Sequence, residues 1–254
     1  RDAVKGHYSN AADPGFASGK PGNEETVKFG IVGATAHPQI DFTKCNNSKF
    51  GYANHPVQVV NYVSCHDDLC LTDKLAKSMP GSTEEERIAV AKLAQTIVFT
   101  SQGIPFMFTG EEVFRNKKGV HNSYCSPDSI NAIDWNQKKQ YRDLFDYYKG
   151  IINLRKLHPA FRMTTAEEVA KNLVFDEVAE SNLISYSIKN NANGDSWSEI
   201  KVILNGATKA NEVEVPAGEW TVVVKDGKVD EAGLEKSQGG KLSIAPRTAL
   251  ILAK

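Results

Sequence analysis

The side chains of this chain that could do chemistry gather where two apolar runs stop. Residues 57–64 are rich in valine and run directly into His66, Asp67 and Asp68. Residues 104–109, Ile-Pro-Phe-Met-Phe-Thr, run in the same way into Gly110, Glu111 and Glu112. Near-continuous apolar runs are the signature of strands buried on both faces, and in barrels and doubly wound sheets chemistry collects at the carboxyl ends of such strands. An imidazole and several carboxylates are thus delivered to one sheet edge. The plainer reading stands beside this one: Asp is a good turn residue, and a strand that ends in polar residues has often only reached solvent. A third polar group, residues 121–131, lies in a loop behind the second run.

The elements that would carry these residues can be read from periodicity and caps. Between the two runs, Ser82 with Glu85, or Thr83 with Glu86, forms a capping box, and three acids fill the first turn. The expected helix extends to about Ser101, buries Val90, Leu93, Ala94, Ile97 and Val98, and meets Gly103 as its cap. Strand, helix, strand is a parallel crossover. A second helix, residues 140–158, shows a stripe of Leu144, Tyr147, Tyr148, Ile151 and Ile152 and is stopped by Pro159. Ahead of the first run, residues 1–54 are mostly loop by their Gly, Asn, Pro and Asp content, with a short helix at 27–32, and residues 69–79 form another short helix or turn. From residue 173 the period changes to short β runs at 183–188, 200–204, 219–224, 242–245 and 248–252, punctuated by Asn205-Gly206, Asp226-Gly227 and Gly239-Gly240. This predicts an α/β region over residues 1–165 and an all-β domain over 166–254, with the boundary within 163–171.

Composition narrows the function classes. With 254 residues, 41% hydrophobic and 24% charged, the chain has material for one large domain or two small ones. A formal net charge of -1 supplies no basic field for nucleic acid. No window carries the run of about 18 apolar residues that a membrane helix needs. Cys45, Cys65, Cys70 and Cys125 lack the paired spacing of a zinc site, and free thiols favour a reducing compartment, cytoplasmic over periplasmic or cell surface. The start at Arg1 suggests an excised piece.

Three blocks carry a resemblance. Asn61-Tyr62-Val63-Ser64-Cys65-His66-Asp67, then residues 103–112, then residues 122–135 in this order resemble the C-terminal part of type I pullulanases, starch debranching enzymes of the α-amylase superfamily. The resemblance runs from Arg1 to the end of the second helix and more loosely through the β runs. It implies the last two β/α units of a (β/α)8 barrel followed by an antiparallel β-sandwich. It also implies a retaining mechanism acting on α-1,6 branch linkages of pullulan, starch or glycogen-type glucans, whose nucleophile and general acid lie on strands that precede Arg1. The isolated chain would then be inactive.

By the same resemblance, His66 hydrogen-bonds hydroxyls of the glucose at the cleavage point, and Asp67 holds its 2- and 3-hydroxyls while the ring flattens. Such contacts suit an oxocarbenium-like transition state. Asp68 stands where many relatives carry Asn, and both a sugar contact and a solvated carboxylate remain open for it. Asn122, Tyr124, Asp128 and Asn131 are candidates for glucan binding, Tyr124 by stacking, although Asp128 to Asn131 also reads as a helix start. Glu111 and Glu112 are rejected as the acid pair, because retaining chemistry needs carboxyl groups about 5 Å apart on opposite sides of the bond. A supporting or ion-paired role is expected for them, and Trp197 and Trp220 are expected as anchors of the β domain. No cofactor is implied, and a structural calcium is compatible with the full-length enzyme. The expected partners are an α-glucan and the missing half of the barrel, supplied by a complementary chain or replaced by self-association. The alternatives are an isoamylase-like hydrolase and a non-catalytic carbohydrate-binding or structural module.

Overall fold

Residues 1–46 and 48–254 are described by the computed structural model, and the expected change of period divides them. Helices come first: α1 (Asp2–Lys5), α2 (Glu24–Ile31), α3 (Leu71–Ser78), α4 (Glu84–Thr100), α5 (Asp128–Asn131), α6 (Gln137–Gln140), α7 (Arg142–Leu157) and α8 (Ala166–Asn172). Two short strands, β1 (Val60–Asn61) and β2 (Ile104–Pro105), lie among them and pair in parallel, Val60 opposite Ile104. The crossover between them is α4, as its cap predicts. Of the two possible boxes the second forms: Thr83 Oγ1 accepts the Glu86 amide at 3.2 Å and Glu86 Oε2 accepts the Thr83 amide at 2.9 Å.

Gly103 differs from its expected part as the cap of α4. The helix closes on Ser101 in extended backbone, and Gly103, with φ of 102°, lies against β1, where a Cβ would come 3.0 Å from the Val59 carbonyl. The orphaned carbonyls of the helix end are instead taken by Arg155 of α7, which donates to Phe99 O at 2.9 Å, Ser101 O at 2.6 Å and Gly103 O at 2.6 Å. One buried guanidinium therefore fixes α7 to the turn that feeds β2. Residues 1–54 are largely irregular, as expected, yet they are packed: Phe16 and Ala17 are fully buried. Gly15 makes this possible, since a Cβ there would stand 2.2 Å from the Val4 carbonyl.

The β region comprises β3 (Leu173–Phe175), β4 (Leu183–Lys189), β5 (Glu199–Asn205), β6 (Asn211–Val215), β7 (Trp220–Lys225), β8 (Lys228–Val229), β9 (Glu235–Ser237), β10 (Gly240–Ile244) and β11 (Thr248–Ala253). Seven of these form one antiparallel sheet ordered β3-β4-β5-β11-β7-β8, with β9 also on β7, and β6 pairs with β10 as a separate ribbon. Asp226 and Gly227, with φ of 49° and 70°, make the two-residue turn between β7 and β8 that their sequence predicts.

Both faces of the large sheet are covered. Ile184, Tyr186, Val202, Leu204 and Ile251 join the core that also holds Val90, Leu93, Ile97 and Tyr148 of the helices. Their neighbours Leu183, Ile203, Leu250 and Leu252 pack instead with Val213, Val215 and Ile244 of the ribbon. The β region is thus antiparallel, as expected, and has an apolar interior of its own between the large sheet and the ribbon. Its larger apolar face is nevertheless continuous with the helical core, so the two regions share one packed interior rather than meeting at a polar linker.

Candidate functional site

The turn 64–69 is held at both ends and free in the middle. At its start Ser64, 1% exposed, donates its hydroxyl to Glu111 Oε1. Glu111 sits in the short helical turn after β2 and its second oxygen accepts from Gln95 Nε2 of α4. At the far end, Lys5 of α1 donates to the Leu69 carbonyl at 3.2 Å. Between these anchors the side chains of His66 and Asp67 are 77% and 62% exposed, with His66 Nε2 3.4 Å from Asp67 Oδ1. The strand itself is shorter than the expected eight residues, because β1 has a single hydrogen-bonded neighbour among the described residues. The carboxyl end of β1 still leads directly to this pair.

Asp68 is not the solvated carboxylate that was one of the two roles left open for it. Its side chain is 12% exposed, accepts from Arg1 Nη1 at 2.9 Å and lies 3.2 Å from His121 Nε2. Its backbone, left-handed at φ of 60°, donates to Asn122 Oδ1 at 2.6 Å and accepts from the Asn122 amide at 3.4 Å. Asp68 therefore ties the His66-Asp67 turn to the loop that follows β2. Nothing in the residue types at positions 1, 68, 121 and 122 shows this in advance; only the fold brings them together.

That loop is tied down along its length. Asp73 of α3 accepts from the Lys117 amide at 2.6 Å and the Gly119 amide at 2.9 Å. Beside it, burial pushes the Cys70 thiol up to about 12, so it is inert at neutral pH. Arg115 donates to the carbonyls of Thr109, at 3.0 Å, and of Asn131. The Asn131 side chain is spent inside the loop, accepting from Ser123 Oγ at 2.7 Å and donating to the carbonyls of Ser123 and Ser126. The helix-start reading of residues 128–131 matches α5. Tyr124 stands out from this frame with 82% of its surface exposed, and Asp128 is exposed beside it.

The two glutamates after β2 differ sharply. Glu111 is 4% exposed, and burial pushes its carboxyl up to about 7. Glu112 Oε2 accepts the Gly110 amide at 2.9 Å. Neither makes an ion pair among the described residues, so of the two expected roles support fits and pairing does not. Trp220 is buried and donates to the Pro216 carbonyl at 2.8 Å, while Trp197 stacks on His158 at 3.3 Å. As for metals, Cys65, His66 and Asp67 place one donor atom each within 4.8 Å of one another, but all three come from a single, largely exposed turn.

The chain is similar to known proteins along its length. Residues 169–228 match the family model described as the pullulanase all-beta domain. A pullulanase of Bacillus subtilis is 33% identical over 216 residues, which is 85% of this chain and 29% of that protein. The solved structure of the pullulanase from Bacillus acidopullulyticus superposes on all of this chain, with a TM-score of 0.90 and 36% identity, over 29% of its own length. The pullulanase from Paenibacillus barengoltzii in complex with maltohexaose and alpha-cyclodextrin superposes with a TM-score of 0.86 and 38% identity, over 37% of its length. The chain belongs to the pullulanase family and matches the C-terminal ~30% of its structures.

Proposed function

We propose that this chain is the C-terminal part of a retaining α-1,6-glucan debranching hydrolase. Residues 1–165 supply the last two β/α units of its (β/α)8 barrel and residues 166–254 the β-sandwich that follows. The observation that carries this reading is the turn 64–69, anchored by Glu111 and Lys5 and leaving only His66 and Asp67 turned outward at the end of a parallel strand. In it, His66 hydrogen-bonds a hydroxyl of the glucose at the scissile bond and Asp67 holds the 2- and 3-hydroxyls of the flattening ring. Tyr124 offers a stacking face, and Asn122 and Asp128 lie on the same loop. Asn131 drops out of direct binding in this scheme, because its amide is already committed.

The nucleophile and general acid belong to preceding strands. Glu111 cannot stand in for either, being buried and engaged by Ser64 and Gln95. Val57, Val60, Ile104 and Phe106, each 42% exposed or more, form an apolar face that the rest of the barrel, a complementary chain or self-association would cover.

Two assays test the reading. In the full-length protein, His66→Ala and Asp67→Ala should each lower kcat on pullulan by about 100-fold or more while KM moves much less, since the contacts tighten in the transition state. The isolated chain should release no reducing ends. Variants within twofold of the parent kcat, or hydrolysis by the isolated chain, would overturn it.

A further inference from the structure

We propose that Glu111 is a positioning residue for the His66-Asp67 turn, gripping Ser64 as a carboxylate and loosening that grip on protonation; this rests on the role given to the turn above. Three buried polar side chains from three elements meet here. Ser64 is 1% exposed, Gln95 0% and Glu111 4%. Both carboxylate oxygens accept, one from Ser64 Oγ and one from Gln95 Nε2, and among the described residues no Lys or Arg pairs with this charge.

The site can also hold the proton. Gln95 Oε1 is buried without a partner, and turning the amide over would present it to Glu111 Oε2 as an acceptor for a carboxyl hydrogen. Both states of Glu111 are thereby hydrogen-bonded, but not equally. Ser64 donates to a full negative charge in one and to a neutral carbonyl oxygen in the other, and the charge-assisted bond is about twice as strong. Burial places the exchange at about pH 7.

The other groups facing Glu111 do not take over its part. Lys5 of α1 favours the ionised form through its charge but is committed to the Leu69 carbonyl. Glu112, on the same segment, opposes it. Cys70, ahead of α3, and Tyr148 of α7 both have raised pKa values and are neutral in this range. The turn therefore responds to one buried proton on Glu111, through Ser64, two residues before His66.

The test uses E111Q and S64A in the full-length protein. Gln reproduces the shape and hydrogen bonding of the protonated acid. Above pH 7, E111Q should show kcat on pullulan about three- to tenfold below the parent with KM within about twofold, and below pH 7 the gap should close. S64A should show the same loss above pH 7, and adding E111Q to it should cost little more. Equal kcat on both sides of pH 7, a change in KM alone, or additive losses would overturn the proposal. Two readouts do not depend on activity. Difference infrared spectra should show a buried carboxyl titrating near neutrality that E111Q lacks, and the isotope-labelled Cys65 amide should report the same step in the parent only. Their absence defeats the proposal even if pullulan is cleaved. Their presence in a protein that cleaves no pullulan leaves the grip standing and defeats the functional reading instead.

Discussion

The β1-β2 pair and the seven-stranded sheet are built from similar sequence and end in opposite circumstances. β1 and β2 come from Val- and Ile-bearing runs, as do β4, β5 and β11, yet Val60 and Ile104 are 51% and 48% exposed while Ile203 and Ile251 are fully buried. The difference is neighbours. Among the described residues each strand of the small pair has one hydrogen-bonded partner, whereas β4, β5, β11 and β7 are each flanked on both sides and covered on both faces. Buried charge follows the same division. Lys201 of β5, 1% exposed, is paired with Asp176, while Glu111 behind the small pair has no ionic partner among the described residues. An apolar run thus specifies a strand that wants covering, and the surroundings decide whether it is covered.

The comparison breaks first at the covered sheet. Trp220→Ala removes a fully enclosed indole from the sandwich interior and should cost about 3–5 kcal/mol, measured by denaturant unfolding. A cost below about 1 kcal/mol would mean that the interior collapses around the loss and is not the tight layer described.

Glu111 gives a pH-dependent contrast. Its folded carboxyl holds a proton up to about pH 7, against an ordinary value of 4.5, so the stability it contributes is complete below 4.5 and is lost as pH rises through 7. Gln does not titrate. Thermal unfolding of Glu111→Gln should match the parent at acid pH and exceed it above pH 7, by on the order of 3 kcal/mol at most. A variant less stable than the parent above pH 7 would show that a buried cation compensates the carboxylate after all.

The smallest effect belongs to the bare face. In this chain Ile104→Lys should change unfolding free energy by no more than about 0.5 kcal/mol, because the side chain is already in water. Light scattering should show less self-association in the variant. Marked destabilisation would place Ile104 in a covered interior and remove the contrast between the sheets.

Much of this was legible in residue order. The capping box of α4, the stripe Val90, Leu93, Ala94, Ile97, Val98, the turn at Asp226-Gly227 and the change of period from residue 173 all depend on interactions within a few residues. β6 was not anticipated, although its Val213 and Val215 alternate with acids, because five residues of alternation are easily passed over between longer runs. α1, too short to show a period, was also missed.

At the site, residue types and spacing alone singled out His66, Asp67, Asp68 and the glutamates after β2, and Tyr124 entered through the resemblance. They could not separate Glu111 from Glu112, since adjacent acids look alike until one is enclosed by Ser64 and Gln95, which lie 47 and 16 residues away in the chain. Nor could they assign Asp68, whose partners Arg1 and His121 both lie far from it along the chain, one on either side. Local backbone preference and apolar periodicity are written in neighbouring residues, and so the sequence determines where elements begin, which face they bury and where polar groups emerge. Desolvation and ion pairing depend on what arrives from elsewhere in the chain, and only the tertiary structure decided which carboxylate would be buried, which would tie two loops together and which would remain exposed.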